Sequence, residues 1–159
     1  MALSDFNLIT DRTQEDVDRY VELKSKYLHG MTAEERAEWE TFLKGAYNYT
    51  DMNRVESAVE YVANRLTEAG YGVIPVVKKN WSKTDKPTLT DLKRYMKNIS
   101  DIRSALATFE TTPEAPTTEK RLSFQTANAM EQILTDVDDL ISRMMSAYFY
   151  SGDLYSGEV

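Results

Sequence analysis

The sequence predicts an all-α protein of five helices: an N-terminal three-helix unit, a basic connector, and then a long antiparallel helical hairpin. Three observations predict this. Apolar residues recur at alternating steps of three and four through residues 52–69, 92–109 and 127–148, a spacing that gathers them on one helix face. Threonine, serine or aspartate stands where these stripes begin, and glycine or proline where several of them end, as helix boundaries require. The chain of 159 residues is 42% hydrophobic and contains no cysteine, so a packed core rather than disulfides or thiolate–metal sites must hold it.

The first segment opens at Thr13, a capping residue with Glu15 and Asp16 in the turn behind it, where acids favour the helix dipole. Val17, Tyr20, Val21, Tyr27, Leu28 and the stem of Lys24 are expected on one buried face, and Gly30 stops the helix. His29, the single histidine, reads as a terminal residue favoured by the dipole; alone it builds neither a metal site nor a triad. The second segment begins with Thr32-Ala-Glu-Glu35, a capping box, and is expected to pass Trp39, Phe42 and Leu43 before ending near Gly45. The third carries the clearest stripe, Met52, Val55, Val59, Val62, Leu66 and Ala69, with Thr50 or Asp51 as its cap and Gly70 as its left-handed stop.

Tyr71–Val77 reads as extended, with Pro75 arguing against a central strand. Lys78–Pro87 reads as a connector between two units. A fourth helix, capped by Thr88 or Thr90, is expected to carry Leu92, Tyr95, Met96, Ile99, Ile102, Leu106 and Phe109. Pro113 and Pro116 break the chain before a fifth helix, capped by Ser123 and running from Phe124 to Tyr148. The glycine-broken end reads as a non-helical tail. The organisation is thus an N-terminal helical unit over 1–77, a connector over 78–89, a helical hairpin over 90–150 and a flexible tail over 151–159.

Three long apolar stripes suggest more surface than one short chain covers, and heptad-like spacing suits self-association. The same spacing also fits an intramolecular five-helix bundle. No phosphate loop, nucleophile elbow or zinc-helix motif occurs. The pair Asp136 and Asp139 reads as the solvated side of the fifth helix rather than as an acid–base pair, and an enzyme built on it is the least favoured reading. No cofactor and no metal are expected. No stretch is apolar enough for a membrane span, and the first residues do not read as a secretory leader.

Charge is uneven. The net charge is −7, yet Lys78, Lys79, Lys83, Lys86, Lys93, Arg94 and Lys97 cluster against only Asp85 and Asp91. Trp81 sits inside this run. Lys78, Lys79 and Trp81 are therefore candidate interaction residues, and a nucleic-acid-binding regulator using the Lys78–Lys97 patch is the alternative function; the preferred reading of the run is a hydrated connector whose tryptophan packs on the nearest helix. An acidic chain is a poor generic polyanion binder, so nucleic acid is not the expected partner. Among ten tyrosines, Tyr148, Tyr150 and Tyr155 are candidate contacts, because tyrosine offers large area at small entropic cost.

The runs ITDRTQEDVDRYVELKSK, MTAEERAEWETFLKGAYNYTDMNRVESAVEYVANRL and LSFQTANAMEQILTDVDDLISRMMSAYFYSGDLYSGE resemble small structural proteins of the tail gene modules of phages and prophages of Gram-positive gut bacteria. The specific parts are Asp11–Val17 and Lys44–Val55; residues 71–118 carry no such resemblance. The resemblance implies a virion-associated or tail-assembly part and says little about copy number; with the apolar stripes, the expectation is a non-enzymatic tail or baseplate accessory, a homo-oligomer that also meets other phage structural proteins. It would be made in the bacterial cytoplasm and be open to incorporation in the virion.

Overall fold

The stripes of the third, fourth and fifth segments face one another. A computed structural model describes residues 1–117 and 122–156, with side chains as far as 148. Its α-helices are α1 (Gln14–His29), α2 (Ala33–Trp39), α3 (Tyr49–Glu68), α4 (Leu89–Ser104) and α5 (Phe124–Ser156), preceded by a 3₁₀ turn at Leu3–Phe6. The described residues are all-helical apart from loops and one extended segment.

Helices α3, α4 and α5 pack on one another, with the 3₁₀ turn against α3. Val55, Val59, Val62 and Leu66 meet Tyr95, Ile99 and Ile102 and then Met130, Leu134, Val137 and Ile141 in one core that also takes in Leu3 and Trp81. Residues 78–89 therefore do not separate a first core from a second, and the stripes expected to leave a surplus largely cover each other. Each fully buried aliphatic side chain contributes about 1.5–3 kcal/mol, so this cluster dominates stability.

Helices α1 and α2 form a side arm. Their principal helical contact is with each other, and Leu23, the one buried residue of α1, lies outside the main core cluster. The arm joins the bundle at Gly45. A β-carbon there would lie 2.0 Å from the Asp16 carbonyl oxygen, so only glycine lets the two backbones touch.

The caps correct several expected boundaries. Thr13 and Thr32 cap as expected, each accepting from the amide three residues on. The α3 cap is Asn48, not Thr50 or Asp51; its Oδ1 accepts from the Thr50 amide, and Asp51 is the reciprocal box residue. Helix α2 stops at Trp39 rather than near Gly45. Helix α4 stops at Ser104 rather than Phe109, where Arg103 turns to donate to the Pro113 and Thr112 carbonyls and holds the following loop. Helix α5 passes through Gly152 to Ser156 where a non-helical tail is expected. One interior glycine costs only about 1 kcal/mol, and extending a formed helix avoids the cost of nucleation. Residues 157–159 of that tail lie outside the described residues.

Tyr71–Asn80 is extended, with side chains alternating in and out: Ile74 and Val76 are exposed while Val73 and Val77 pack on the core. The Asn98 side chain donates to the Val76 carbonyl and accepts from its amide, as a neighbouring strand would.

Candidate functional site

Two buried ionic groups tie the segments around Arg12 and Lys78–Trp81 to the core helices. At the base of the arm, Arg12 and Arg54 meet Asp51 and Glu131. Arg12 Nη2 lies 2.8 Å from Glu131 Oε1 and 3.4 Å from Asp51 Oδ1, and Arg54 Nη2 lies 2.7 Å from Asp51 Oδ1. The Arg12, Asp51 and Glu131 side chains are sealed from solvent. Glu131 also accepts from the Ile9 amide, and Asn128 clasps both backbone groups of Arg12. Two cations and two anions balance, which buried charge requires. The group nevertheless leaves Nε of both arginines without a partner.

In the first turn of α3, Arg54 turns inward to Asp51 and Glu131, and Asn53 pairs with the backbone of Trp81. Asp11 pairs with Lys44. Beside this group the Tyr47 and Tyr95 hydroxyls meet at 2.5 Å, and burial pushes both phenols well above their ordinary pKa.

The second group centres on Glu56, which is fully buried. It accepts from Arg94 through both oxygens, from the Lys78 amide and from Trp81 Nε1. This separates the two readings of the basic connector. Trp81 is a core residue at 4% exposure, not an aromatic platform. Lys78 sits 3.7 Å over its ring and near Asp85, Lys79 pairs with Glu60, and Lys97 with Asp101. Of the seven cations, Lys83, Lys86 and Lys93 have no ion pair among the described residues. Asp136 and Asp139 are likewise engaged: Asp136 accepts from Thr112 and Gln132, and Asp139 from Arg143. Among the described residues no three histidine, aspartate or glutamate side chains converge as a metal site. No described helix is long and apolar enough to cross a membrane.

The arm is held shut by charge and rings. Arg19 grips Glu38 through two nitrogens, Lys26 bridges Glu22 and Glu35, and Trp39 stacks on Tyr20 and Tyr27. The Lys26 and Arg19 contacts hold the carboxyls of Glu22, Glu35 and Glu38 below their ordinary range. Where the arm meets the bundle, a groove of about 730 Å³ is lined by Tyr20, Trp39, Phe42, Tyr49, Trp81 and Lys83.

Two helix faces remain open. Sequence reasoning buries one face of α1, but that helix has two apolar faces. Tyr20, Leu23 and Tyr27 turn towards α2, and the stripe Val17, Val21, Lys24 and Leu28 lies about a quarter of a turn away, with Val17 half-buried, Val21 57% and Leu28 77% exposed. On α5, Ile141 is the last fully buried residue among the described side chains, and the helix continues to Ser156, about 22 Å further. Met145 and Tyr148 are exposed there, at 47% and 78%, beside a groove formed with Glu68 and Ala69. Of the candidate contacts, Tyr148 thus stands at the surface, whereas the side chains of Tyr150 and Tyr155 lie outside the described residues. Compared with family models, curated proteins and solved structures, the chain matches no family model, no curated relative and no solved structure.

Proposed function

We propose that this chain is a non-enzymatic structural protein of a phage or prophage particle, a tail or baseplate accessory that acts by self-association through the end of α5. One observation carries the self-association: the α5 helix continues to Ser156, and Met145 and Tyr148, past Ile141, are exposed. An isolated helix of about 15 residues is marginal in water, so this length gains most from a covering partner. Its exposed methionine and tyrosine are residue types enriched in interface cores. The particle itself rests on the resemblance of residues 9–66 and 122–158 to tail-module proteins.

Two measurements test this. Light scattering on the full chain should show concentration-dependent association that Tyr148→Glu weakens; a monomer at every concentration refutes self-association. Mass spectrometry of purified particles from a producing strain should find the chain; its absence from particles and from their assembly intermediates refutes the tail assignment. The nucleic-acid reading keeps only Lys83, Lys86 and Lys93 as uncommitted cations among the described residues. Retention on DNA that falls steeply with salt would favour it.

A further inference from the structure

The groove between the arm and the bundle holds side chains whose hydrogen-bonding capacity is unevenly used. Tyr20, Trp39 and Phe42 come to it from the arm and the loop that leaves it, and Tyr49 and Lys83 from the bundle. Its carboxylate and amide acceptors are occupied, apart from Glu40. Asn48 Oδ1 takes the Thr50 amide and hydroxyl, and Asp85 takes the Ser82 amide. The donors are free. The Tyr20 and Tyr49 hydroxyls, Trp39 Nε1 and the Lys83 ammonium have no hydrogen-bond or ion-pair partner among the described residues. Phe42 adds a bare ring, 56% exposed. We propose that this groove binds a proline-rich extended segment of a partner protein.

Proline supplies what the groove lacks. Its carbonyl accepts and its nitrogen has no hydrogen to donate, so a proline-rich run presents a row of acceptors to ring donors. Its flat ring packs on exposed aromatic faces, the way aromatic-lined grooves hold such segments. The run is extended before it docks, so it loses little chain entropy. The volume of about 730 Å³ is that of a binding site, about 300–1,000 Å³. Lys83 and Glu40 set the direction, an acidic flank of the segment lying beside the first and a basic flank beside the second.

Other occupants fit less well. A sugar hydroxyl donates as well as accepts, and the groove offers few free acceptors. A nucleic-acid strand needs clustered cations, but Lys83 is the one cation lining the groove and Glu40 balances it. The chain's own Pro113–Pro116 loop is held elsewhere, since Arg103 donates to the Pro113 carbonyl and Ala115 packs on the core. This inference names a partner other than a second copy, and it does not depend on self-association through α5.

The test titrates the full chain with a proline decamer in a calorimeter, with a glycine–serine decamer as the control. Saturable binding of the proline decamer is expected, with the control at least about tenfold weaker. Phe42→Ala should weaken binding about fivefold or more. Tyr49→Phe keeps the ring and removes only the donor, and should weaken it about three- to tenfold. Both side chains are exposed, and circular dichroism verifies that the variants fold. Val21→Ala, exposed but outside the groove, should bind like the wild type. No binding of the proline decamer at millimolar concentration overturns the proposal, and so does binding that Phe42→Ala and Tyr49→Phe both leave unchanged. Binding of cellohexaose or a thymidine decamer in place of the peptide overturns it in favour of a sugar or a nucleic-acid strand. A chain that is monomeric in light scattering yet binds the proline decamer upholds this inference while refuting self-association.

Discussion

Replacing Asp51 by alanine tests whether this residue is a helix cap or half of a buried ionic group. As a cap, its Oδ2 accepts from the Asn48 amide at 3.0 Å, and losing that function costs about 1 kcal/mol. Its Oδ1, however, also faces Arg12 and Arg54, and its side chain is fully buried. Without it, two guanidinium groups share Glu131 alone. Breaking a buried pair by removing one partner costs roughly 3–5 kcal/mol, so the expected total is roughly 4–6 kcal/mol. That approaches the whole stability of a small domain, about 5–15 kcal/mol. The measurement is guanidinium unfolding followed by far-ultraviolet circular dichroism. Asn48→Ala is the control, since it removes the bond to the Thr50 amide and leaves the charges intact. It should cost about 1 kcal/mol. The double variant Asp51→Ala/Arg12→Met rebalances the charge and should recover some of the loss. If Asp51→Ala and Asn48→Ala destabilise equally, the ionic group contributes nothing and the reasoning fails.

Three further outcomes are expected. Gly45→Ala forces a β-carbon into the Asp16 backbone and should cost about 1–3 kcal/mol, read as faster hydrogen exchange in α1 with the core helices unchanged; equal protection would refute the close approach. Acid should loosen the arm first. Glu22, Glu35 and Glu38 titrate below their ordinary value of 4.5 in the folded chain, so their contribution is present above that pH and is lost as pH falls through the lowered values; α1 exchange that ignores acid while the core weakens would contradict this. Trp81→Phe removes the Nε1 bond to buried Glu56 and should cost about 1.5–3 kcal/mol, whereas Lys79→Ala, which breaks a surface pair, should cost less than about 1 kcal/mol. The reverse order in urea unfolding would return Trp81 and Lys79 to the role of a contact patch.

The core helices are legible in the sequence because their signal is local and periodic. Met52 to Leu66, Tyr95 to Ile102 and Ala127 to Ile141 are buried as their steps require. Helix α1 is harder because two of its faces are apolar, and period alone does not say which one meets α2. Arg12, Asp51, Arg54 and Glu131 carry no such signal: charged residues read as surface, and apart from Asp51 with Arg54, three residues apart on α3, their partners lie 39 or 77 positions away or further. The packing of Trp81 on the helices agrees with the connector reading, but its partner Glu56 is not legible, since that carboxylate lies on another helix. The end of α5 misleads because two glycines suggest a break, while propagation favours continuing a long helix.

The arrangement of the two tryptophans has a practical consequence. Trp39 is sandwiched by tyrosines in a module attached through a narrow neck, and Trp81 is enclosed with a carboxylate in the main body. Emission from single-tryptophan variants therefore reports two separate melting units of one molecule. An arm that opens under mild conditions would uncover its rings while the body stays intact.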